Sequence, residues 1–564
     1  MVSLEYHETT KHHFGRFARS RGYLDWATQP DPFRRYAGAA LIALPHDEQS
    51  AGVRPLHTFS SVKGSHPGSD RGIDREVAAP LHREAIGWFL RYAMGLSAWK
   101  AYGDTRWALR VNPSSGNLHP TEAYLIHDGR IFHYAPREHA LEERAVLSYE
   151  KWTAFLQGRQ GFLVALTSIQ WREAWKYGER AFRYCQHDVG HAIAALRFSA
   201  SLFGWTLRLL PEWSDEQMAT LVGVDRDDDR GEAEPEHPEC LALVGPGVSW
   251  TPGAAAALAA EARSAAWHGR ANILSRGHDE WPVIEQVTKA TRYSGQLAIR
   301  KTQPPTPPSS RADDARASAR QAEARSVEAL YPRRLILQRR SALAFDGRSA
   351  LPRERFLAML AKLHPSLPPF DAFDWPPHVH LALFVHRVEG LTPGVYVYSR
   401  EASVIDEWRS LMRPEFLWEQ TGDRLFLLLP TDVTWAANRI SCDQAIASDG
   451  CFSLGMIARV ESALRDRGEW FYRRLFWECG AIGQVLYLEA EAAGARGTGI
   501  GCFYDDAVHE LLGLAGHEWQ SLYHFSMGFP VDDPRLTTET GYAWEVLANA
   551  NQDVPAHGGP VSRI

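Results

Sequence analysis

The sequence predicts an α+β fold built twice in one chain, and three observations carry that prediction. One is an internal repeat. When the chain is shifted by 290 positions, Gly178 and Glu179 fall on Gly468 and Glu469, Arg183 on Arg473, Gly190 on Gly480 and Gly204 on Gly494. The register runs on without a gap through Asp215 on Asp505 and Gly223 on Gly513, which marks a repeated structural unit. The second is a helical window in each copy, Arg183–Phe203 and Arg473–Ala493, rich in Ala, Leu and aromatics around much of its circumference. Such a helix is buried, and the glycine after each, Gly204 and Gly494, suits a left-handed helix end. The third is the set of apolar runs such as Thr121–Ile126 and Leu425–Pro430, which read as strands.

With 564 residues, the chain is long enough for two cores. The stretch 301–325, KTQPPTPPSSRADDARASARQAEAR, passes from proline into Ala, Arg, Asp and Ser with almost no large apolar residue. It reads as a linker between a first lobe, 1–300, and a second, 326–548, with a loose tail over 549–564. Lys and Arg total 61 against 68 Asp and Glu, a net charge of −7, so no overall positive field attracts nucleic acid or anionic lipid. The six cysteines form no CxxC pair, which points to reduced thiols rather than a disulfide framework or a zinc clip. The N-terminal MVSLEYHETTKHHF lacks the apolar core of a signal peptide, and no run approaches a membrane span; a cytoplasmic location is expected.

Within the first lobe, NPSSGNLHP (112–120) packs hydroxyls, amides and a glycine just before a strand. That mixture lets backbone approach a planar polar ligand while offering hydrogen bonds, although it also suits an ordinary polar turn. In the second lobe, Arg339, Arg340 and Ser341 open RRSALAFDG ahead of a helix expected near Pro352. Two guanidinium forks and a hydroxyl fit a phosphate; a solvated basic patch reads the same way. RGTGIGCFYDD (496–506) reads as a glycine-rich turn leading into a short helix. His187 and His191 stand at i and i+4 as in a zinc site, but Asp188 follows the first histidine and no third ligand is evident, so they read as buried-helix residues and no metal is expected.

Taken together, NPSSGNLHPTEAYLI, WKYGERAFRYCQHDVGHAIAAL, RRSALAFDG and GTGIGCFYDDAVHELLGL followed by YHFSMGFP resemble the FMN-dependent nitroreductase superfamily. The resemblance is to its SagB-type branch, which includes azoline dehydrogenases, and it covers nearly the whole chain as two tandem lobes. It implies an intramolecular pseudo-dimer, because members of the superfamily usually build each flavin site across a dimer interface. One protomer then supplies the RRS clamp and the glycine segment, and the other the PSSxN stretch.

The two lobes depart from that pattern in complementary ways. The first lobe keeps Pro113, Ser114, Ser115, Gly116 and Asn117 but has no RRS, and it carries Leu207, Leu209 and Pro211 where the second has Gly497, Gly499 and Gly501. In the second lobe Arg339, Arg340, Ser341, Gly499, Ile500 and Gly501 remain, and its counterpart of NPSSGN is the unrelated DWPPHVH (374–380). One composite FMN site is therefore expected, with Arg535 as a further phosphate contact. The branch's KYGxRxxRY context is matched by Lys176, Tyr177, Arg180, Arg183 and Tyr184. It implies that Lys176 and Tyr177 handle the substrate proton while flavin takes hydride; Arg180 and Arg183 are expected to hold carboxylates. The expected function is FMN-dependent oxidation or reduction of a small or peptide-derived substrate, an azoline-type natural-product intermediate for instance, alongside other enzymes of a biosynthetic pathway. The alternatives are NAD(P)H-dependent nitro or quinone reduction and a flavin-free scaffold in a peptide-modifying complex.

Overall fold

The computed structural model describes residues 1–46, 78–247, 255–295 and 333–544. The expected linker, 301–325, and tail, 549–564, lie outside the described residues. Each lobe carries a seven-stranded antiparallel sheet. Across the first the order is Ala40–Ala43, Ala140–Val146, Arg130–Ala135, Thr121–His127, Phe162–Ser168, His237–Gly245 and Thr206–Leu209. Across the second it is Glu419–Gly422, Leu425–Pro430, Gly394–Tyr398, Val379–Val385, Phe452–Arg459, Trp519–Gly528 and Arg496–Ile500. The central strands are buried along their whole length, as their unbroken apolar runs require.

Two long helices, Ala181–Leu202 and Phe471–Ala492, fill the space between the sheets and are buried at nearly every position. Each begins two residues before its sequence-predicted start and is followed by a left-handed glycine, Gly204 (φ 69°) or Gly494 (φ 72°). They cross at Gly190 and Gly480. A Cβ on Gly190 would overlap the Trp477 carbonyl, and one on Gly480 would overlap the His187 carbonyl. Those two contacts are the same contact viewed from either lobe, since 187 and 477, like 190 and 480, stand 290 apart. Pairs related in this way are the signature of an isologous interface, here closed within one chain.

Each lobe is also clasped by the far end of the chain. The N-terminal helix Val2–Thr9 lies on the second lobe: the Ser3 amide donates to Glu469 at 2.6 Å, and the His7 ring meets the Tyr472 hydroxyl at 3.0 Å and Gln520 at 3.1 Å. Conversely, strand Thr537–Thr540 pairs with the first-lobe hairpin Leu96–Tyr102 and Thr105–Arg110.

The glycine segment differs from its expected form. Arg496–Ile500 is an edge strand, not a turn, and none of its glycines has positive φ. Glycine is needed there for space: a Cβ on Gly497 would strike the Phe525 ring, on Gly499 the Tyr523 hydroxyl and on Gly501 the Tyr184 ring. The expected helix near Pro352 spans Arg353–Ala361, and a further short helix, Ala507–Leu512, follows Asp506.

Candidate functional site

Local folding first fixes the second-lobe half. Ser341 bridges in parallel to Gly497, the Ala342 amide donates to the Gly497 carbonyl (3.2 Å), and the Thr498 hydroxyl donates to the Ala342 carbonyl (2.8 Å). The RRS segment therefore runs beside the glycine strand. The Tyr487 hydroxyl, from the long second-lobe helix, lies between them: it is 2.9 Å from the Ser341 hydroxyl and accepts the Gly499 amide at 2.8 Å.

Both arginines cross to the first lobe. Arg339 is buried with its guanidinium over the Tyr487 ring (4.9 Å), donating to the carbonyls of Arg110 (3.2 Å) and Val111 (3.3 Å). Arg340 donates to the Ser97 hydroxyl (3.2 Å) and carbonyl (3.0 Å), and to the Leu337 carbonyl (2.7 Å). Asn112 and the NPSSGN stretch follow Val111 directly, so the clamp and the hydroxyl-rich loop meet.

That loop holds itself in shape. Gly116 (φ 57°) and Asn117 (φ 61°) are left-handed, which gives a tight turn at Ser115–Asn117. The Asn117 side chain donates to the Ala108 carbonyl (2.8 Å) and meets His119 Nε2 (2.9 Å), while the Ser114 hydroxyl accepts the His119 amide (2.7 Å). Ser115 donates from its amide (3.1 Å) and hydroxyl (3.3 Å) to Asp188 Oδ1 on the central helix, and Pro113 is buried beneath.

Lys176 and Tyr177 end the helix Gln170–Tyr177 and reach the same turn. A Cβ on Gly116 would stand 2.6 Å from the Tyr177 hydroxyl and 3.1 Å from Lys176 Nζ. The Tyr177 ring packs on Tyr184 (4.5 Å), whose hydroxyl donates to the Gly501 carbonyl (3.0 Å). A continuous path thus links the pair to the glycine strand of the other lobe, with Ile500 buried behind it. Burial, together with the nearby carboxyls and Tyr184, raises the Tyr177 hydroxyl well above its ordinary pKa.

Arg535 is the residue left apart. It sits in an exposed loop, bonded to Asp533 at 2.7–3.2 Å, with its guanidinium 5.5 Å from the Tyr102 ring centre. Its Asp533 partner follows from the local spacing of DDPR and not from the cluster.

Sequence reasoning missed two buried carboxyls beneath the loop. Asp188 lies inside the motif read as a pair of spaced histidines; burial lifts it to about 7, opposed by hydrogen bonds from Ser114 and Ser115, and its Oδ2 has no partner among the described residues. Glu173, three residues before Lys176, is fully buried; desolvation and the Asp188 charge raise it, with Lys176 opposing. A carboxyl within each of two buried, aromatic-rich helices was the available signal. His187 stacks on Tyr523 (4.1 Å) and bonds the Leu522 carbonyl (3.0 Å), while His191 meets the Tyr523 hydroxyl (3.2 Å); both histidines therefore serve the lobe interface.

Among the described residues, the mirror-related position is filled by side chains. Leu207 and Leu209 are buried, and the Arg474 guanidinium is stacked among Trp470 (4.4 Å), Trp375 (4.9 Å) and Tyr293 (5.3 Å). A cavity of about 20 Å³ lies beside it.

Two comparisons place this architecture among known proteins. Residues 415–529 match the Nitroreductase family model. A nitroreductase candidate from Anabaena variabilis, solved by crystallography, superposes over 94% of this chain and 99% of its own with a TM-score of 0.64 at 20% identity. The fold is nitroreductase-like. The E. coli microcin synthetase McbBCD complex with truncated pro-MccB17 bound also matches, at 19% identity over 37% of this chain and 84% of that one, TM-score 0.25. So does a nitroreductase with bound FMN from Bacteroides fragilis, at 13% identity over 41% of this chain and 97% of that one, TM-score 0.20. No curated protein matches the chain. Among the described residues no helix of this nitroreductase-like chain is long and apolar enough to cross a membrane.

The donor set suits a phosphate-bearing, planar cofactor such as FMN. Ser341 is exposed next to Arg340, and burial and the guanidiniums of Arg340 and Arg496 push the Lys100 ammonium below its ordinary pKa, with Asp532, paired to Arg496 at 2.6 Å, opposing. Along the loop, Asn112 Oδ1, His119 Nδ1 and Asp188 Oδ2 are buried polar atoms without partners among the described residues. Orphaned groups clustered in one seam are the pattern left by a polar occupant.

Proposed function

We propose that the chain is an FMN-dependent oxidoreductase with one composite flavin site per chain, acting as a dehydrogenase on an azoline-type or other peptide-derived substrate. The observation that carries the reading is the junction of Arg339 with the carbonyls of Arg110 and Val111, because it unites the one RRS segment with the one NPSSGN loop. The filled mirror position supports a single site. Arg339, Arg340 and Ser341 would hold the phosphate, and Ser114, Ser115 and Asn117 would face the ring system together with Gly499, Ile500 and Gly501. When bound, FMN supplies hydride acceptance.

This chain's own residues do the remaining work. Tyr177, kept protonated by burial, presents its hydroxyl as a hydrogen-bond donor toward the substrate, and Lys176 beside it shares the transfer of the substrate proton. The paired aromatic rings of Tyr177 and Tyr184 exclude water from that face.

Flavin absorbance against protein concentration tests the reading. About one FMN per chain, reduced anaerobically by an azoline-containing peptide, is the expected result. A ratio near two rejects the single site, and a colourless protein rejects the flavoenzyme. Reduction by NAD(P)H with no response to azoline peptides would favour the nitro or quinone reductase.

A further inference from the structure

Beside the lobe junction, directly after Gly501 and on the Tyr184 side of the Lys176–Tyr177 pair, three side chains converge from three distant parts of the chain. The Tyr504 amide donates to the Ile440 carbonyl (2.9 Å), and the Gln444 side chain donates to the Cys502 carbonyl (2.8 Å). Those two bonds hold the segment 440–444 against 502–504, with Cys442 opposite Cys502. Both thiols are partly exposed, whereas Cys185, Cys240, Cys451 and Cys479 are buried.

The third side chain is His12 of the N-terminal arm, locked by its backbone: its amide donates to Asp505 Oδ2 (2.8 Å) and its carbonyl accepts the Asp505 amide (3.1 Å). The Ala18 amide donates to His12 Nδ1 at 2.9 Å. Nδ1 is therefore the acceptor, and the ring's proton sits on Nε2. The remaining edge of the ring faces the Cys502 sulfur, and so does the Cys442 thiol.

We propose that Cys442 and Cys502 form a redox-active dithiol, with Cys502 the attacking sulfur and Cys442 the resolving one, that reacts with small disulfides. The neighbouring Cys442 thiol favours the Cys502 thiolate most, with burial opposing and His12 and Arg180 assisting. The same pairing keeps the proton on Cys442. The other groups facing the pair are Asp505, itself held by Arg180 and Arg183, Arg439 and Tyr504 on the Cys442 side, and the hydroxyls of Tyr177 and Tyr184, which burial keeps neutral. Thiolate character on an accessible sulfur beside a second thiol is the arrangement that disulfide exchange needs.

The chemistry balances with the small disulfide as oxidant. The Cys502 thiolate attacks one sulfur of RS–SR, forming a mixed disulfide and releasing one RS⁻. Cys442 gives up its proton and attacks the Cys502 sulfur, releasing the second RS⁻ and closing the Cys442–Cys502 bond. The protein loses two electrons, and the small disulfide becomes two thiols.

Alkylation of the full-length protein with iodoacetamide at pH 6, followed by peptide mass spectrometry, tests the attacking role. Cys502 is expected to react at least about tenfold faster than the same cysteine in denaturant-unfolded chain, and His12→Gln to slow it. Oxidised glutathione is expected to remove two hydrogens from the intact mass and yield a 442–502 cross-linked peptide. Cys442→Ser is expected to accumulate a glutathione adduct on Cys502 instead. Equal alkylation rates for folded and unfolded Cys502, an unchanged mass in oxidised glutathione, or a persistent adduct on the unsubstituted protein would overturn the proposal. None of these readouts depends on flavin, so they stand apart from the proposed oxidoreductase activity.

Discussion

Arg183 binds Asp505 at 2.6 Å, and 290 positions away from each, Arg473 binds Asp215 at 2.8 Å. The two pairs lie on opposite sides of the glycine crossing and tie each long helix to the other lobe. They are not equal. Arg180 joins the first pair from 2.8 Å, and the two guanidiniums hold the buried Asp505 carboxyl well below the usual range against the cost of burial.

That inequality predicts a pH effect. A carboxyl whose folded pKa is depressed adds stability that is complete above its unfolded pKa and drains as pH falls below about 4. Asp505→Asn should therefore destabilise the protein at pH 7 by about 3–5 kcal/mol, since it strands two buried arginines, and should flatten the acid limb of the stability curve. Denaturant midpoints from pH 3 to 7 measure both.

Asp188 should act in the opposite sense. Its folded pKa is raised to about 7, so the folded state takes up a proton, and its favourable contribution is lost as pH rises from about 4 to 7. Asp188→Asn should remove that slope. The same denaturant series reads it, and a slope unchanged by the substitution would refute the assignment.

Gly480→Ala should cost about 1–3 kcal/mol or more, because the added methyl meets the His187 carbonyl and Gly190 backbone rather than a side chain that can turn aside. Gly15→Ala, with nothing near it, is the control. Thermal melts of both variants compare the two directly.

Ser341→Ala separates ligand binding from folding. Ser341 is exposed and the partner of its hydroxyl is Tyr487, so stability should hold while FMN dissociates roughly ten- to a hundredfold faster, the worth of one hydrogen bond to a charged group. Flavin fluorescence after dilution follows the release.

Tyr177→Phe and Lys176→Ala should leave flavin bound and lower substrate-driven flavin reduction by about 10²–10⁴-fold, the usual range for groups that transfer protons. Stopped-flow absorbance with an azoline peptide makes the comparison.

Legibility from sequence followed what each residue is for. The repeat could be read because Gly190, Gly480, Arg183 and Asp505 sit where the lobes touch, and few other residues satisfy those contacts. RRS and NPSSGN stand out because each is contiguous, but the first-lobe carbonyls that Arg339 and Arg340 meet lie 229 and 243 positions away and no local pattern points to them. The glycine strand was misjudged because glycine is scarce in strands, and only the three-dimensional approach of Tyr523, Phe525 and Tyr184 explains it. Asp188 is visible in the sequence only as a charge on a buried helix; its partner Ser115 lies 73 positions away, and no spacing rule spans that distance.

The strand Thr537–Thr540 sets an order of events during synthesis. The hairpin Leu96–Tyr102 leaves the ribosome early, yet the Tyr542 hydroxyl that receives the Leu96 amide arrives 446 positions later. Until then one hairpin edge has no neighbour, and such edges are sites of wrong pairing between nascent chains. The hairpin carries its own guard in the form of Lys100 and Arg106, charges that discourage a second copy from pairing there while the rest of the polypeptide is still being made.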